Sequence, residues 1–483
     1  MLFRNRFRHL TCAAALVLGL TVLPLPLACR LRPVGKMADQ VGHDASATVE
    51  ASVGHDAPVG KMADQVGHDA SATVDTAVMP ATIVMPGSTG HPVKPGIEVL
   101  EEHGFDVLQG KRIGLLTNPS GVDRQLRSTI DILHQAPGVH LVRLFGPEHG
   151  VRGDTHAGDA TADLTDPATG LKCYSLYGKY RQPTPEMLRG LDAVVYDIQD
   201  VGVRCYTFIS SLGLMMRACA ELGIEVIVLD RPNPLGGRKV EGPFPEPGFF
   251  SFVGQYRIPY VYGLTVGELA RLINEEGLNC GQRGDQPPLK CKLTVVPMEG
   301  WERWMRYLDT GLPWVMPSPN IPYPESAVCY PAAGIAGEFG YLNIGVGYTI
   351  PFACFAAEWI DADALKARLD AFALPGVVFR PIHFRPFFGK DANKLLHGVQ
   401  FHFTDYDAAT LTLLQFYVMQ ALKELYPEQD PLAKGNFSML DKICGTDYVR
   451  KTFKEKYQVA DILGYWSKDV DAFRSISEKY YNY

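Results

Sequence analysis

The sequence of 483 residues lacks the short motifs that identify several common classes of protein. None of its 10 cysteines forms a C-x-x-C pair, which disfavours a zinc ribbon and a thioredoxin-type redox site. There is no G-x-x-x-x-G-K-[ST] loop, and no G-x-G-x-x-G follows the first predicted strand, so we expect no nucleotide cofactor. A G-x-S-x-G nucleophile elbow and an H-E-x-x-H zinc motif are also missing. Lysines and arginines are not clustered, and the net charge of -7 argues against nucleic acid as a partner.

The first 29 residues are predicted to be an export signal. Three arginines within the first eight residues precede an apolar run at 13–23, which is too short to span a bilayer comfortably. Residues 25–29, LPLAC, are similar to a bacterial lipobox, with proline where leucine is usual. We therefore expect an exported, periplasmic protein, either free or anchored by a lipid on Cys29. In an oxidising compartment Cys280 and Cys291 are the pair expected to bridge, with buried free thiols as the alternative.

Residues 30–95 are predicted to be a disordered linker. The 17-residue segment at 33–49 recurs unchanged at 58–74, and this Gly/Ala/Asp/Ser-rich unit lacks the apolar side chains needed for a core. The remaining chain has an ordinary globular composition and is predicted to form two domains, at 96–325 and 326–483.

Four apolar segments of the first predicted domain resemble buried strands, at 112–117, 139–145, 191–196 and 224–229. Helical spacing of apolar residues follows the third of them, at 207–222, until Gly223 ends the pattern. Strands that alternate with amphipathic helices form a parallel sheet with both faces covered. The sequence therefore predicts an α/β domain with a parallel sheet.

Each predicted strand is followed by a polar motif. The carboxyl ends of parallel strands meet at one edge of a sheet, where open α/β sheets bind ligands. Helix capping could explain Asp200, and a buried ion pair could explain Asp230 with Arg231, but neither explains every loop at once. Eight side chains that are far apart in sequence are expected to converge at this edge: Glu148, His149, Asp197, Asp200, Arg204, Asp230, Arg231 and Asn233.

The loop at 145–154 contains the strongest catalytic candidate. Its glycines allow unusual backbone conformations and Pro147 fixes the approach to Glu148, so this carboxylate is predicted to be aimed at the site. Paired carboxylates suit glycoside hydrolysis, in which one protonates the leaving oxygen and the other attacks or activates water. A metal is the alternative, although the spacing of the candidate ligands matches no established site. Those ligands would be His149, Asp154, His156 and Asp159.

With these residues assembled, the chain from about Gly96 onward resembles the exo-β-N-acetylmuramidases of peptidoglycan turnover, a family long known only as a domain of unknown function. Four motifs carry the resemblance: GPEHG at 146–150, DIQDVGVRCYT at 197–207, DRPNP at 230–234 and PSPNIP at 317–322. The resemblance implies a Rossmann-like domain followed by a smaller α+β domain, with the active site in the cleft between them. It also implies release of N-acetylmuramic acid from the non-reducing end of wall fragments, without a dinucleotide.

We expect Glu148 to act as the general acid, with Asp197, Asp200 or the acetamido group of the substrate as the second catalytic group. A non-catalytic lipoprotein that binds peptidoglycan or sugar is the alternative function. The residues expected to bind substrate lie in the same motifs and in the second domain: His149, Arg152, Arg204, Tyr206, Asp230, Arg231, Asn233, Asn320 and Glu338.

The second domain departs from the family at one informative position. Members commonly carry a run like E-G-T-N-x-S-x-G-R-G-T-x-x-P-F, and residues 338–352 keep its glutamate, glycines and final Pro-Phe but have Val346 in place of the arginine. An arginine could bind the lactyl carboxylate of N-acetylmuramic acid through two hydrogen bonds. We therefore expect either another cation, Arg204 or Arg231, or a weaker preference for this sugar.

Overall fold

The apolar segments of the first part of the chain assemble into a seven-stranded sheet. The computed structural model describes residues 92–153, 163–278, 288–338, 340–433 and 437–483, so the predicted export signal and nearly all of the predicted linker lie outside the described residues. The strand order is β3-β4-β2-β1-β5-β6-β7, and every neighbouring pair is parallel except β3 with β4. The strands are β1 (Arg112–Thr117), β2 (His140–Gly146), β3 (Leu164–Thr165), β4 (Lys172–Ser175), β5 (Ala193–Asp197), β6 (Glu225–Leu229) and β7 (Leu293–Val296).

Helices cover both faces of this sheet, which is why β5 and β6 are buried along their whole length. Local signals set the ends of the helices: the Thr265 side chain forms a capping box with Glu268, and Gly223 ends the long helix with a left-handed φ of 70°. The predicted parallel α/β sheet is confirmed. The helices of this part are α1 (Gly96–Glu102), α2 (Thr129–Gln135), α3 (Pro185–Leu188), α4 (Phe208–Leu222) and α5 (Val266–Glu276).

The second part of the chain is a smaller α+β assembly, as expected. Its strands form an antiparallel sheet in the order β8-β10-β9, and α6 packs beside α8 and α9 against a large apolar core. The strands are β8 (Cys354–Ala357), β9 (Val377–Phe384) and β10 (Leu396–Phe403). The helices are α6 (Pro324–Glu338), α7 (Ala362–Asp370), α8 (Leu414–Leu425), α9 (Phe437–Cys444), α10 (Tyr448–Lys456), α11 (Val459–Ser467) and α12 (Val470–Ser477).

Buried polar contacts join the two parts, and all described residues belong to one compact unit. The Glu241 carboxylate, from the first part, accepts hydrogen bonds from the backbone amides of Leu411 (3.0 Å) and Thr412 (2.8 Å) just before α8. The ammonium group of Lys239 donates to the carbonyl oxygens of Tyr406 (2.7 Å) and Ala409 (2.8 Å). Because these groups are removed from water, separating the two parts would leave them without partners.

The folded chain begins slightly before the predicted boundary at residue 96. Val93 is buried with Met298 and Trp301, and its amide donates to the carbonyl of Thr310 (3.0 Å). Trp301 is therefore a core residue.

In the described part of the chain, no helix is long and apolar enough to cross a membrane. Cys291 is a buried free thiol, and its predicted partner Cys280 lies outside the described residues.

The close approach of β10 to β8 at Gly398 gives a test of the fold. A Cβ atom at Gly398 would overlap the carbonyl oxygen of Phe355 and lie 2.7 Å from Cα of Ala356. We expect Gly398→Ala to lower the free energy of unfolding by about 2 to 3 kcal/mol, because the two strands must move apart. The control is Gly464→Ala, in the exposed middle of α11 with no neighbour within 4 Å, which should raise it by about 0.5 to 1 kcal/mol. Equal denaturant midpoints for the two variants would contradict this close packing.

Candidate active site

The polar motifs meet because the strand ends are in register. Thr117 at the end of β1 lies beside Asp197 at the end of β5, and Leu116 lies beside Phe145 of β2. Strand β2 pairs with one edge of β1 and β5 pairs with the other edge, so the strand order reverses at β1. A reversal of this kind opens a crevice outside the carboxyl ends of the strands.

Glu148 follows β2 directly and is held in one orientation. The hydroxyl of Thr207 donates a hydrogen bond to its Oε2 (2.7 Å), and the Tyr177 hydroxyl is within hydrogen-bonding reach of the same carboxylate. The turn behind it places both His149 (φ 73°) and Gly150 (φ 74°) in the left-handed region, which costs energy for a histidine. The half-buried Glu148 carboxylate is thus aimed into the crevice by a tight turn and two hydroxyl groups.

A second carboxylate, Glu338 at the end of α6, lies close enough to Glu148 for the charge of Glu148 to act on it. Its side chain is exposed to solvent. The surrounding protein raises the pKa of Glu338, and the negative charge of Glu148 raises it further. Burial raises the pKa of Cys205 and of Tyr330, two residues of the apolar core, and the charge of Glu338 raises both further. The carboxylate that interacts electrostatically with Glu148 is therefore contributed by the second part of the chain.

Tyr206 is close to both Glu148 and Asp200. Its ring packs edge-on against Phe208 (centroids 4.9 Å apart) and Tyr330 (5.6 Å). Burial raises the pKa of Tyr206, and the charges of Asp200 and Glu148 act in the same direction. Tyr206 is thus well placed to contact a ligand beside Glu148, whereas Asp200 lies behind it.

A hydrogen bond joins the motif at 317–322 to the end of β1. The side-chain amide of Asn118, at the end of β1, donates to the carbonyl oxygen of Pro317 (3.0 Å). Ser318 then faces the hydroxyl of Tyr206, and Asn320 is half-buried on the same loop. Asn320 therefore remains a candidate for contact with substrate.

Asp197 and Arg231 form a buried ion pair. The guanidinium of Arg231 donates to both carboxylate oxygens of Asp197, with Nη2 at 2.8 Å from Oδ2, and Nη2 also donates to the carbonyl of Val122 (2.8 Å). The hydroxyl of Thr129 donates to the same carboxylate. With its oxygens occupied in this way and no exposed surface, Asp197 is not suited to act as the second catalytic carboxylate. Its geometry is that of an anchor joining the ends of β5 and β6.

Asp200 is also buried but only partly satisfied. Its Oδ2 accepts hydrogen bonds from the hydroxyl of Tyr262 and the amide of Gly202 (2.8 Å). Its Oδ1 is buried without a hydrogen bond of normal geometry to any described residue. Burial raises the pKa of Asp200 to about 6, and the two hydrogen bonds oppose that rise.

Arg204 corrects a prediction, because it is a structural residue and does not line the cleft. Only 1% of it is exposed. Its Nη1 donates to the carbonyl oxygens of Pro243 (2.7 Å) and Ile258 (2.8 Å), and its Nη2 donates to that of Ile443 in α9 (2.8 Å). Burial lowers the pKa of Arg204 to about 10. A guanidinium enclosed by three carbonyls cannot reach a substrate, and it ties α9 to the sheet.

Two further predicted binding residues are likewise enclosed. The Asp230 carboxylate accepts hydrogen bonds from the hydroxyls of Thr265 (2.7 Å) and Tyr483 (2.8 Å) and has no exposed surface. The Asn233 amide donates to the carbonyl of Leu264 (2.9 Å). The predicted substrate contacts of Asp230, Asn233 and Arg231 are therefore corrected to structural contacts, since buried polar groups at strand ends need partners within the protein.

The remaining predicted residues lie at the margin of the site. His149 is buried beneath the turn, and the guanidinium of Arg152 forms an ion pair with Asp166 (2.7 Å). Among the described residues, no three histidine, cysteine or acidic side chains are grouped so as to hold a metal ion. The other ligands of the alternative metal site lie outside the described residues: Asp154, His156 and Asp159.

The sequence does not single out three side chains near Glu148: Thr207 and Tyr177, which contact it, and Arg181, which contacts Tyr177. Thr207 ends the motif at 197–207, and the other two follow β4, a strand too short for periodicity to reveal. The guanidinium of Arg181 lies over the ring of Tyr177, 4.5 Å from its centroid. The available signal was the alternating run at 172–177, which ends in polar and aromatic residues as the other strands do.

Comparison with known proteins agrees with this geometry. Family models described as the N-terminal and C-terminal parts of exo-beta-N-acetylmuramidase NamZ match residues 113–325 and 328–483. A protein of Bacillus subtilis (strain 168) named peptidoglycan beta-N-acetylmuramidase NamZ is 43% identical over 392 residues, which are 81% of this chain and 91% of that protein. The chain belongs to the NamZ family. The resemblance inferred from the four motifs is confirmed.

Solved structures of DUF1343 family proteins share the NamZ-family fold seen here. One from Bacteroides fragilis NCTC 9343, at 1.65 Å resolution, is 52% identical with a TM-score of 0.76 and covers 81% of this chain and 99% of its own. Another from the same organism, at 1.30 Å, is 28% identical with a TM-score of 0.64 and the same coverage. The order of a large, mainly parallel sheet followed by a small antiparallel sheet and helices is therefore that of solved relatives.

The position of Arg204 predicts a loss of stability upon substitution. Arg204→Met removes the donor for the carbonyl groups of Pro243, Ile258 and Ile443 while keeping a long apolar side chain. We expect the free energy of unfolding, measured in urea, to fall by about 3 kcal/mol or more, because three buried acceptors lose their partner. The exposed Arg257, whose guanidinium lies 4.4 Å from the Phe244 centroid, supplies the control Arg257→Met, which should change it by less than about 0.5 kcal/mol. Similar values for both variants would contradict the structural role of Arg204.

The raised pKa of Asp200 predicts a pH dependence of stability. Because its pKa is about 6 in the folded protein and about 3.9 in an unfolded chain, its contribution to stability is complete at low pH and is lost as the pH rises through 6. Asn has the shape of the protonated Asp side chain but does not ionise. Between about pH 4 and pH 7 the free energy of unfolding should therefore fall by about 2 to 3 kcal/mol less in Asp200→Asn than in the native protein. Urea unfolding across that range measures this, with Asp471→Asn, whose side chain is 99% exposed, as the control. Identical pH profiles for native protein and Asp200→Asn would exclude the titration of Asp200.

Proposed function

We propose that this protein is an exo-β-N-acetylmuramidase, a glycoside hydrolase that releases N-acetylmuramic acid from the non-reducing end of peptidoglycan fragments. Membership of the NamZ family and the 43% identity to the peptidoglycan β-N-acetylmuramidase of Bacillus subtilis support this activity. The observation that carries the proposal is the fixed position of Glu148, which follows β2 and accepts a hydrogen bond from Thr207 (2.7 Å), with Glu338 near enough for the charge of Glu148 to raise its pKa. Two carboxyl groups on opposite sides of a sugar site are the usual requirement for hydrolysis of a glycosidic bond.

Glu148 is proposed as the general acid. Its attachment to the end of β2 and its hydrogen bond from Thr207 fix the position from which a proton would pass to the leaving glycosidic oxygen. As the bond between that oxygen and the anomeric carbon breaks, positive charge develops on the sugar ring. Glu338, approaching from the second part, would stabilise that charge or activate the incoming water. The acetamido group of the substrate is a further source of the second group.

The charge of Glu148 acts on Glu338. Protein around Glu338 and the charge of Glu148 both raise the pKa of Glu338. A raised pKa favours the protonated form of Glu338, so the proposed role of Glu148 as the acid rests on its position at the end of β2 and on its hydrogen bond from Thr207, not on this pKa. Asp197 and Asp200, by contrast, lie behind the wall of the cleft with partners inside the protein.

We also propose that the protein is exported to the periplasm, where wall fragments are found, and that Cys29 is its site of lipid attachment if it is anchored. The supporting observations are the early arginines, the short apolar run at 13–23 and the LPLAC sequence at 25–29. These features precede the described residues.

Activity toward aryl β-glycosides of N-acetylmuramic acid tests the catalytic pair. We expect Glu148→Gln to lower kcat about 10²- to 10⁴-fold on a substrate with a poor leaving group, since the amide cannot donate a proton, and much less on a dinitrophenyl glycoside that needs no protonation. Glu338→Gln should slow both substrates. Glu325→Gln, at the exposed opposite end of the same helix, is the control and should retain the native rates.

The outcomes separate the possible roles. If Glu338→Gln is the only variant whose rate recovers on the dinitrophenyl glycoside, then Glu338 is the general acid and Glu148 is the second carboxylate. If Glu148→Gln turns over both substrates at the native rate, Glu148 has no catalytic role. Native protein that binds N-acetylmuramic acid but hydrolyses neither glycoside would indicate the alternative function, a sugar-binding protein.

A further inference from the structure

The substrate of the proposed reaction carries a negative charge that needs a partner. N-acetylmuramic acid differs from N-acetylglucosamine by a lactyl ether, whose carboxylate is ionised at neutral pH. An arginine is the side chain best suited to bind it, because a planar guanidinium can hydrogen-bond both carboxylate oxygens. A selective enzyme therefore requires an available cation near the scissile bond.

The cations suggested by the sequence do not meet this requirement. Arg204 is enclosed by three carbonyl groups, and Arg231 is paired with Asp197. Arg152 is occupied by Asp166. Val346, at the position where the family commonly has arginine, is partly buried and packs against the core of the second part. The charge must come from elsewhere in the cleft.

Arg181 is exposed, shares Tyr177 as a neighbour with Glu148, and is held by aromatic rings. Its guanidinium carbon lies 4.0 Å from the ring centroid of Phe252 and 4.5 Å from that of Tyr177. The two rings themselves are in contact, with centroids 6.2 Å apart. Stacking on two rings restricts the long side chain before any ligand arrives, which reduces the entropy lost on binding.

Tyr177 connects this arginine to the catalytic carboxylate. Its hydroxyl lies within hydrogen-bonding reach of both Glu148 and Arg181; burial and Glu148 raise the pKa of Tyr177, while Arg181 lowers it. One tyrosine hydroxyl thus separates the guanidinium from the proposed general acid. Arg181 is exposed to solvent, so its guanidinium can be reached by a ligand.

We propose that Arg181, stacked on Tyr177 and Phe252, forms a carboxylate-binding subsite that recognises the lactyl group of N-acetylmuramic acid. The subsite rests on the proposed function and explains how the chain can select this sugar with valine at position 346. Arg181 fixes the lactyl carboxylate, and Tyr177 joins that contact to Glu148. The subsite belongs to the first part of the chain and does not use the loop that contains Val346.

The test compares the 4-nitrophenyl β-glycoside of N-acetylmuramic acid with the same glycoside methyl-esterified on the lactyl group, which keeps the shape and removes the charge. For the native protein we expect kcat/KM to be about 10- to 100-fold higher for the free acid. Arg181→Met should reduce this ratio to near one, and Arg181→Lys should leave an intermediate ratio because its ammonium cannot pair with both oxygens. A purely structural role for Arg181 would slow both substrates equally and leave the ratio unchanged.

Two control variants isolate the position of the charge. Lys179→Met removes an exposed cation two residues away, stacked 4.9 Å from the Tyr180 centroid, and Arg257→Met removes an exposed arginine stacked on Phe244. Both should keep the native ratio. If the ratio of kcat/KM for the free acid to that for the methyl ester falls to near one in Lys179→Met but stays high in Arg181→Met, the subsite belongs to the lysine and the proposal is overturned.

Failure of the subsite and failure of the proposed function give different results. A native ratio near one, or a high ratio that persists in Arg181→Met, overturns the subsite while leaving the hydrolase intact. If the native protein hydrolyses neither glycoside, the proposed function fails, and calorimetric binding of free N-acetylmuramic acid and its methyl ester then measures the subsite directly. Equal affinity of native protein and Arg181→Met for the free acid would overturn it in that case as well.

Discussion

The buried guanidinium of Arg204 is the interaction on which the arrangement of the cleft depends. It donates to carbonyl groups at Pro243 and Ile258 in the first part of the chain and at Ile443 in the second. The residues that follow it directly include Tyr206, which forms a wall of the cleft, and Thr207, which holds Glu148. Because burial of a charge is unfavourable unless it is hydrogen-bonded, these three carbonyl groups stabilise the guanidinium and hold α9 against the loop that contains Arg204.

The polar motifs at the strand ends serve mainly to complete the fold. Asp197 with Arg231 joins β5 to β6, and Asp230 caps the approach to α5 while binding the hydroxyl of Tyr483. Such residues resemble a catalytic cluster in sequence because they are polar, close to strand ends and grouped with glycine and proline. Their side chains turn inward, where buried backbone and carboxylate groups need partners. The residues left for a ligand lie further from the strand ends: Glu148, Tyr206, Thr207, Tyr177, Arg181, Asn320 and Glu338.

Both parts of the chain contribute a carboxylate to the proposed site. Glu148 is fixed by the end of β2, whereas Glu338 arrives at the end of a helix that begins after the sheet is complete. Contacts such as those of Glu241 with Thr412, and of Lys239 with the loop before α8, hold the parts together away from the cleft. The two carboxylates are therefore brought near one another by packing between the two parts.

The sequence by itself determined the parallel sheet, its main helices and the family, because helix and strand periodicity and short motifs are local properties of the chain. It also indicated Glu148, where glycine and proline surround a single acid. Only the tertiary structure decided that Arg204 and Asp230 are enclosed, that the charge of Glu148 acts on Glu338, and that Arg181 lies beside Tyr177. The physical reason is that a polar side chain takes its role from the partners around it, and those partners come from strand ends, loops and a second sheet that are brought together only by folding.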